Sequence, residues 1–481
     1  MLERRKLIAI GTIPALILAA CAVNPATGKK QLSLVGERDE VAMGKEYDKQ
    51  TMATMRPYGS PELQAYVQGL GTKLAATSER PELTWTYRLV DDPVVNAFAL
   101  PGGYVYVTRG LLTHMNSEAE LASVIGHETG HVTARHSVNQ MSKQTLLGGL
   151  LGVGSILSPE LQQYSGLLSQ GLETLFLKFS RDDERQADEL GLRYLVRAGY
   201  DPRPMADVFD TLGRVSSLEG GSRLPTWQST HPAPEDRRQS IQAQIAALQK
   251  NFAGLPVERE SFLARLDGVM FGENPREGFF EGTTFYHPDL KMRFDLPPSW
   301  NGVNQTTSVI GVSPAKDAVL RMTLSDKATP DAAAAAFFAQ QGVQRGVVAA
   351  RPIHDQPAVL GDFRIASEQG SMAGAAAFIA HEGKVFQLVG FTTQEKWITY
   401  DAPLRTALAS FRALTDPKIL AIEPAHIEIV KIDRAMTLEE FNRKYPSTVS
   451  LDRLAVANHV DPGGSLVAGN SYKRIVGGKA A

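Results

Sequence analysis

Cysteine is nearly absent from this chain. Cys21 is the only one among 481 residues, so no internal disulfide can form. Long apolar runs are missing too: residues 7–20 and 146–154 are apolar, but both fall short of the ~20 residues that a permanent membrane-spanning helix needs. Charge of one sign is not in excess. A net charge of -2 and a pI near 6.6 argue against a nucleic-acid-binding surface. No tetratricopeptide period is present, so an array of that helical repeat is not expected. What is there is ordinary globular composition, 43% hydrophobic, in a length that allows two to four domains.

One short run carries chemistry: His127-Glu128-Thr129-Gly130-His131. On a helix, positions i and i+4 share a face, so both imidazoles can reach one metal ion. Glu128 then stands beside that ion, where a carboxylate can take a proton from an attacking water. Two solvated histidines on a surface helix would give the same letters. The surroundings favour the metal. Ser117 and Glu120 have capping-box spacing, and Leu121, Val124, Ile125 and Val132 recur at helical spacing, so a buried glutamate needs a cation or partner.

Zinc in a catalytic site takes three protein ligands and leaves a fourth position open. His136, five residues past His131, points well round a continuous helix and is set aside. A third ligand at 137 is ruled out by Ser137, so it must come from another segment. The block 180–188 offers Glu184 and Asp188, four apart on a predicted helix. Glu184 can ligate while Asp188 accepts a hydrogen bond from a ligand imidazole. An ordinary charged helix face would read the same without the first motif beside it.

In combination, four blocks resemble the zinc metalloproteases that include the CAAX prenyl endopeptidases and the HtpX-like membrane proteases. They are residues 96–108, 127–131 and 180–188, then Ser229-Thr230-His231-Pro232 with Arg237, together covering roughly residues 60–245. The resemblance implies one zinc ion per chain held by His127, His131 and Glu184, with Glu128 as base and Asp188 orienting a histidine. It implies that His231 lies near the metal, either stabilising an oxyanion or capping zinc at rest. Arg237 would anchor that loop through a carboxylate. It also makes Asn96 a candidate contact to substrate backbone.

Tyr104, Val105 and Tyr106 open a β-branched and aromatic run after a Pro-Gly-Gly turn, which reads as a strand. Either its edge pairs with an extended substrate backbone, or it is a plain structural hairpin. Residues 146–154, between the two zinc segments, suit a lid, a lipid-touching patch or, more simply, a packed helical hairpin.

At the N-terminus, Arg4, Arg5 and Lys6 precede the apolar run, which ends Leu18-Ala19-Ala20-Cys21. That is a secretory signal over residues 1–20, and its end resembles a bacterial lipobox. Either Cys21 is lipidated and becomes the mature N-terminus, or the signal is simply cleaved and the cysteine is incidental. In a Gram-negative organism, Ala22 after a lipidated Cys21 favours sorting to the outer membrane, facing the periplasm.

Downstream the pattern changes. After a linker or first helix (21–60), a protease domain (61–265) and a Gly- and Pro-rich linker (266–282), residues 283–416 read as strands with interspersed helices and weakly resemble PsbP/Mog1-like α/β sandwiches. His354 and His381 lack partner carboxylates at ligand spacing and read as structural. Residues 430–481 weakly resemble a LysM-like module, departing from it at Lys473-Arg474 and in a Gly-Gly turn. Peptidoglycan or outer-membrane assembly machinery would be its partner, or another protein on which it docks.

The expected fold class is therefore α+β. A mostly helical, zincin-type protease domain with a small edge sheet precedes an α/β sandwich and a small C-terminal module. The expected function is zinc-dependent endopeptidase of the cell envelope, acting on unfolded or misassembled proteins, with no nucleic-acid partner. The rival is a chaperone-like scaffold with little proteolysis, against which the intact Glu128 argues.

Overall fold

The computed structural model describes residues 21–146, 179–218, Trp227, His231, 237–367 and 370–478. The signal-like residues 1–20 lie outside these, as do nearly all of 146–154 and the neighbours Ser229, Thr230 and Pro232 of His231.

A strap of two paired strands, β1 (Cys21–Val23) and β2 (Lys30–Leu32), leads into helices α1 (Glu37–Thr54) and α2 (Pro61–Ala75). Ser60 caps α2 by accepting a bond from the Leu63 amide, and Pro61 sits in the first turn, where its missing N–H costs nothing. Three strands follow: β3 (Thr86–Val90), β4 (Ala97–Leu100) and β5 (Tyr104–Thr108). The short α3 (Arg109–His114) links them to α4 (Glu118–Thr133), which carries the histidine motif. Next come α5 (His136–Leu146), α6 (Arg181–Arg197), α7 (Pro204–Leu218), α8 (Arg237–Ala247) and α9 (Arg259–Arg265).

The sheet order is β3-β5-β4. This corrects one expectation. Tyr104, Val105 and Tyr106 lie in the central strand, whose two edges are taken by β3 in parallel and β4 in antiparallel register. Val105 and Tyr106 are fully buried, and the Tyr106 hydroxyl donates to Asp48. A strand paired on both sides has no main-chain groups left for a substrate. The outer edges belong to β3, where Gln64 and Gln68 bond the backbone of Tyr87 and Leu89, and to β4.

The middle region is strand-rich. Strands β6 (Phe279–Glu281), β7 (Thr284–His287), β8 (Met292–Asp295), β9 (Asn301–Asn304), β10 (Ser308–Val312) and β11 (Ala318–Leu324) precede α10 (Pro330–Phe338). After it come β12 (Val343–Ala350), β13 (Ala358–Ser367), β14 (Gly370–His381), β15 (Lys384–Thr393), α11 (Trp397–Ala409) and β16 (Arg412–Ala413). They form a seven-stranded sheet, β12-β13-β14-β15-β11-β10-β9, and a four-stranded one, β16-β8-β7-β6. Alternation along β14 shows how the larger sheet is covered twice. Ala375, Ala377 and Ile379 pack with Phe294 and Leu404 on one face, while Met372, Ala376 and Phe378 pack with Phe337 of α10 on the other. The imidazoles of His354 and His381 meet backbone carbonyls of Phe411 and Lys291, the structural role expected of them.

The C-terminal segment places α12 (Pro417–Leu420), β17 (Ala425–Lys431), β18 (Met436–Thr437), α13 (Leu438–Lys444), α14 (Leu451–Ala457), β19 (Ser465–Leu466) and β20 (Ser471–Gly477) in order. β17 and β20 pair antiparallel around the two helices α13 and α14. This unit shares one hydrophobic core with the helices of the first region, joining Ile427, Leu454 and Ile475 to Leu112, Ile125 and Leu195. Lys473, a departure from the LysM pattern, is wholly buried. Its Nζ donates to the carbonyls of Thr113, Met115 and Ala457 at 2.8, 2.6 and 3.0 Å, using the three protons of an ammonium. Those bonds fix the turn just ahead of α4.

Candidate metal centre

Helix α4 starts where the sequence places it. The Ser117 hydroxyl caps it by accepting from the Glu120 amide. Glu120 does not return the bond to Ser117, as a full capping box would; its carboxylate accepts from the Asn116 amide instead, at 2.6 Å. The helix runs through the interior, and His127, Glu128 and His131 are all buried. Helix α6 has a complete capping box, Ser180 with Asp183, and presents Glu184 and Asp188 one turn apart.

Small residues bring the two helices together. A Cβ placed on Gly191 would lie 2.9 Å from the His127 amide nitrogen, and one on Gly130 would lie 3.1 Å from the Ala187 carbonyl oxygen. Backbones that approach this closely tolerate no side chain at the crossing. The approach puts Glu184 and Asp188 of α6 against His127 and His131 of α4.

His127, His131, Glu184 and His231 each offer one ligand atom, and these lie within 4.8 Å of one another. His127 Nε2 is 3.0 Å from His131 Nε2 and 3.5 Å from both His231 Nδ1 and Glu184 Oε2. Glu184 Oε1 is 2.9 Å from His231 Nδ1 and 3.5 Å from His131 Nε2. Donors bound at zinc's usual ~2.0–2.1 Å in a tetrahedron stand about 3.3 Å apart, so the set has the dimensions of a zinc cage. Its chemistry agrees. His127 donates from Nδ1 to Asp188 Oδ1 at 2.8 Å, which turns the Nε2 lone pair inward, towards that of His131. Facing lone pairs at such a distance call for a cation between them.

Asp188 is held in turn. Arg237 donates to it from Nε at 2.9 Å and from Nη2, and its guanidinium lies over the Phe209 ring at 3.8 Å. Burial pushes the Asp188 carboxyl up, but Arg237 and His127 outweigh it and hold it below its ordinary range. Arg237 thus finds the carboxylate expected of it. Glu128 has neither oxygen hydrogen-bonded, and burial pushes its carboxyl up to about 8, with His127 pulling the other way. A bound cation would pull it back towards the charged form.

His231 sits with Nδ1 in the ligand set and Nε2 3.5 Å from Glu128 Oε1. Its ring stacks on Trp227 at 4.1 Å, and its amide bonds to the Trp227 carbonyl at 2.8 Å. The Trp227 amide reaches the carbonyl of Val95, just before β4, at 3.4 Å. Asn96 is buried beside it, its backbone amide bonded to the Thr108 hydroxyl.

His136 is the residue that the sequence reading undervalued. It is no ligand, as expected, yet its Nδ1 lies 2.9 Å from His131 Nδ1. The helical wheel misplaced it because the helix is not continuous: α4 ends at Thr133, Arg135 turns with φ +60°, and α5 begins at His136. Arg135 is held there by bonds to Glu40 and to the Val35 carbonyl.

Comparison with known proteins agrees with this geometry. Residues 61–245 match the family described as Peptidase family M48. The chain is 39% identical over 208 residues to mitochondrial metalloendopeptidase OMA1 of Arabidopsis thaliana, covering 43% of this chain and 38% of that one. It is 33% identical over 230 residues to the beta-barrel assembly-enhancing protease of Yersinia pestis, covering 46% and 47%. To the protein of that name in Escherichia coli K12 it is 29% identical over 237 residues, covering 47% and 48%. The chain therefore spans less than half the length of these relatives. Among solved structures, cyanobacterial PsbP from Synechocystis sp. PCC 6803 aligns with 28% of this chain and 95% of its own, at 18% identity and TM-score 0.24, too slight a likeness to carry an argument. Among the described residues, no helix is long and apolar enough to cross a membrane.

Proposed function

We propose that this chain is a zinc-dependent endopeptidase of the bacterial cell envelope, anchored by lipid at Cys21 to the periplasmic face of the outer membrane. Its substrates are misfolded or misassembled envelope proteins. The observation that carries the reading is the enclosed His127, His131, Glu184 and His231 set with the buried Glu128 beside it. Zinc bound there would polarise a scissile carbonyl and acidify the attacking water. Glu128 takes the proton of that water and passes it to the leaving amine. Asp188 keeps His127 in the tautomer that faces the ion, and Arg237 keeps Asp188 in place.

His231 Nδ1 stands among the other three ligand atoms as a fourth donor, which supports a resting state in which this histidine caps the site. The outer edge of β4 takes over the substrate pairing expected of β5, and Asn96 lies at its start. Main-chain pairing selects extended chains with little regard to sequence, which suits unfolded substrates. Similarity to two proteins named for enhancing β-barrel assembly supports outer-membrane proteins among the targets. The C-terminal segment would be the part that docks on peptidoglycan or assembly machinery.

The test compares the wild type with Glu128→Gln on an unfolded outer-membrane protein, with zinc measured in both. Loss of a general base should lower turnover by about 10²–10⁴-fold at unchanged zinc content. Equal cleavage by both proteins would remove Glu128 from the mechanism. Stoichiometric zinc with no cleavage by the wild type would establish the scaffold reading instead.

A further inference from the structure

Behind His131 the hydrogen bonds can run in only one direction. To offer Nε2 to a metal, a neutral His131 must carry its proton on Nδ1. That proton faces His136 Nδ1 at 2.9 Å, so His136 must accept there and carry its own proton on Nε2. His136 Nε2 lies 2.8 Å from Gln186 Oε1, which can only accept. The same oxygen accepts a second bond from Asn24 Nδ2 at 3.3 Å, and Asn24 Nδ2 also reaches the carbonyl of Ala134, the C-cap of α4, at 3.4 Å. Reversing any link would leave two donors or two acceptors face to face in a buried place, since His131, His136 and Asn24 are all at most 5% exposed.

Asn24 is three residues from Cys21. The strap that carries it is stitched to the C-cap of α4 and to α5 beyond it. Gln31 donates to the Ala134 carbonyl and accepts from Asn139, and the Leu34 amide donates to the Ser142 hydroxyl. We propose that His136, Gln186 and Asn24 are positioning residues for the metal ligand His131, and that through them the N-terminal strap is coupled to the metal centre. The proposal rests on the zinc reading above.

The test uses the full chain and measures zinc affinity by chelator competition, together with the melting temperature of the metal-free protein. In His136→Asn the side-chain oxygen stands near the place of Nδ1 and still accepts; in His136→Phe the ring remains but no acceptor does. The Phe variant should bind zinc about 10–100-fold more weakly, the usual effect of removing an outer-shell partner. The Asn variant should recover most of that loss although both melt alike without metal. Asn24→Ala should shift affinity in the same direction by no more than His136→Phe, and it leaves the helices untouched should the Phe variant fail to fold. Nitrogen chemical shifts of His131 in the zinc form should report a proton on Nδ1. Equal zinc affinity in the Asn and Phe variants would overturn the positioning role while leaving the zinc reading intact. A wild type that binds no zinc would overturn both.

Discussion

Glu128 offers the sharpest physical test, because its carboxyl is buried with no hydrogen bond to either oxygen. In metal-free protein, burial raises it from an ordinary 4.5 to about 8. A carboxyl that holds its proton more tightly folded than unfolded favours the native state while both forms are protonated. Stability is then lost as pH rises from about 4.5, where the unfolded chain begins to ionise, to about 8, where the folded one does. A rise of this size is worth at most about 5 kcal/mol, and water entering a metal-free site will reduce it. Glutamine has no proton to lose. With zinc removed by chelation, Glu128→Gln should therefore gain on the wild type between pH 5 and pH 8.5, by about 2–5 kcal/mol. Parallel thermal melts across that range read the gap, which should widen by about 4 °C or more if each kcal/mol moves the midpoint by about 2–4 °C. Zinc should close it, since a cation favours the charged carboxylate. Melting curves that stay parallel from pH 5 to 8.5 would refute the claim that Glu128 is poised by burial.

Three further outcomes are expected. Gly191→Ala should force α6 away from His127 at a cost of about 1–3 kcal/mol and weaken zinc binding measured by chelator competition. Gly69→Ala is its control: it sits in α2 with nothing within 4 Å of the added carbon and should stabilise the protein by about 0.5–1 kcal/mol in the same melts. His231→Ala should raise basal cleavage of an unfolded substrate at unchanged zinc content, whereas a fall in kcat of about 10²-fold would make His231 an oxyanion donor instead. Lys473→Met should lower stability by about 3 kcal/mol or more, because three buried carbonyls lose a charged donor, and faster limited proteolysis between residues 431 and 471 should accompany it.

The metal site was legible because its signals are local. The i, i+4 spacing of His127 and His131, and of Glu184 and Asp188, fixes which atoms share a face whatever lies around them. The close approach of α4 and α6 is different in kind. Gly126, Gly130 and Gly191 look like weak helix residues until the partner helix is known, although the repeat of glycine at 126 and 130 on one face was a usable hint. His136 was misplaced because one left-handed residue, Arg135, resets the helical count. The strand at 104–108 was recognised, but whether its edge was free or paired in a hairpin stayed open, since period-two alternation reports burial and not which edge is paired. In the C-terminal unit, the apolar positions were visible but not the surface that covers them.

That covering surface has a consequence for the order of events in the life of the chain. The turn ahead of the metal helix receives its last donor, Lys473, from a position 360 residues later than Thr113. Closing so long a loop is slow compared with forming the α4 and α6 pair, and it waits on synthesis of the whole intervening sequence. If the chain cuts unfolded proteins, as proposed above, it is itself such a substrate while it is being made. On that reading, a metal centre whose supporting helix receives its final brace only when residue 473 arrives would ripen late, and nascent copies would be spared from one another.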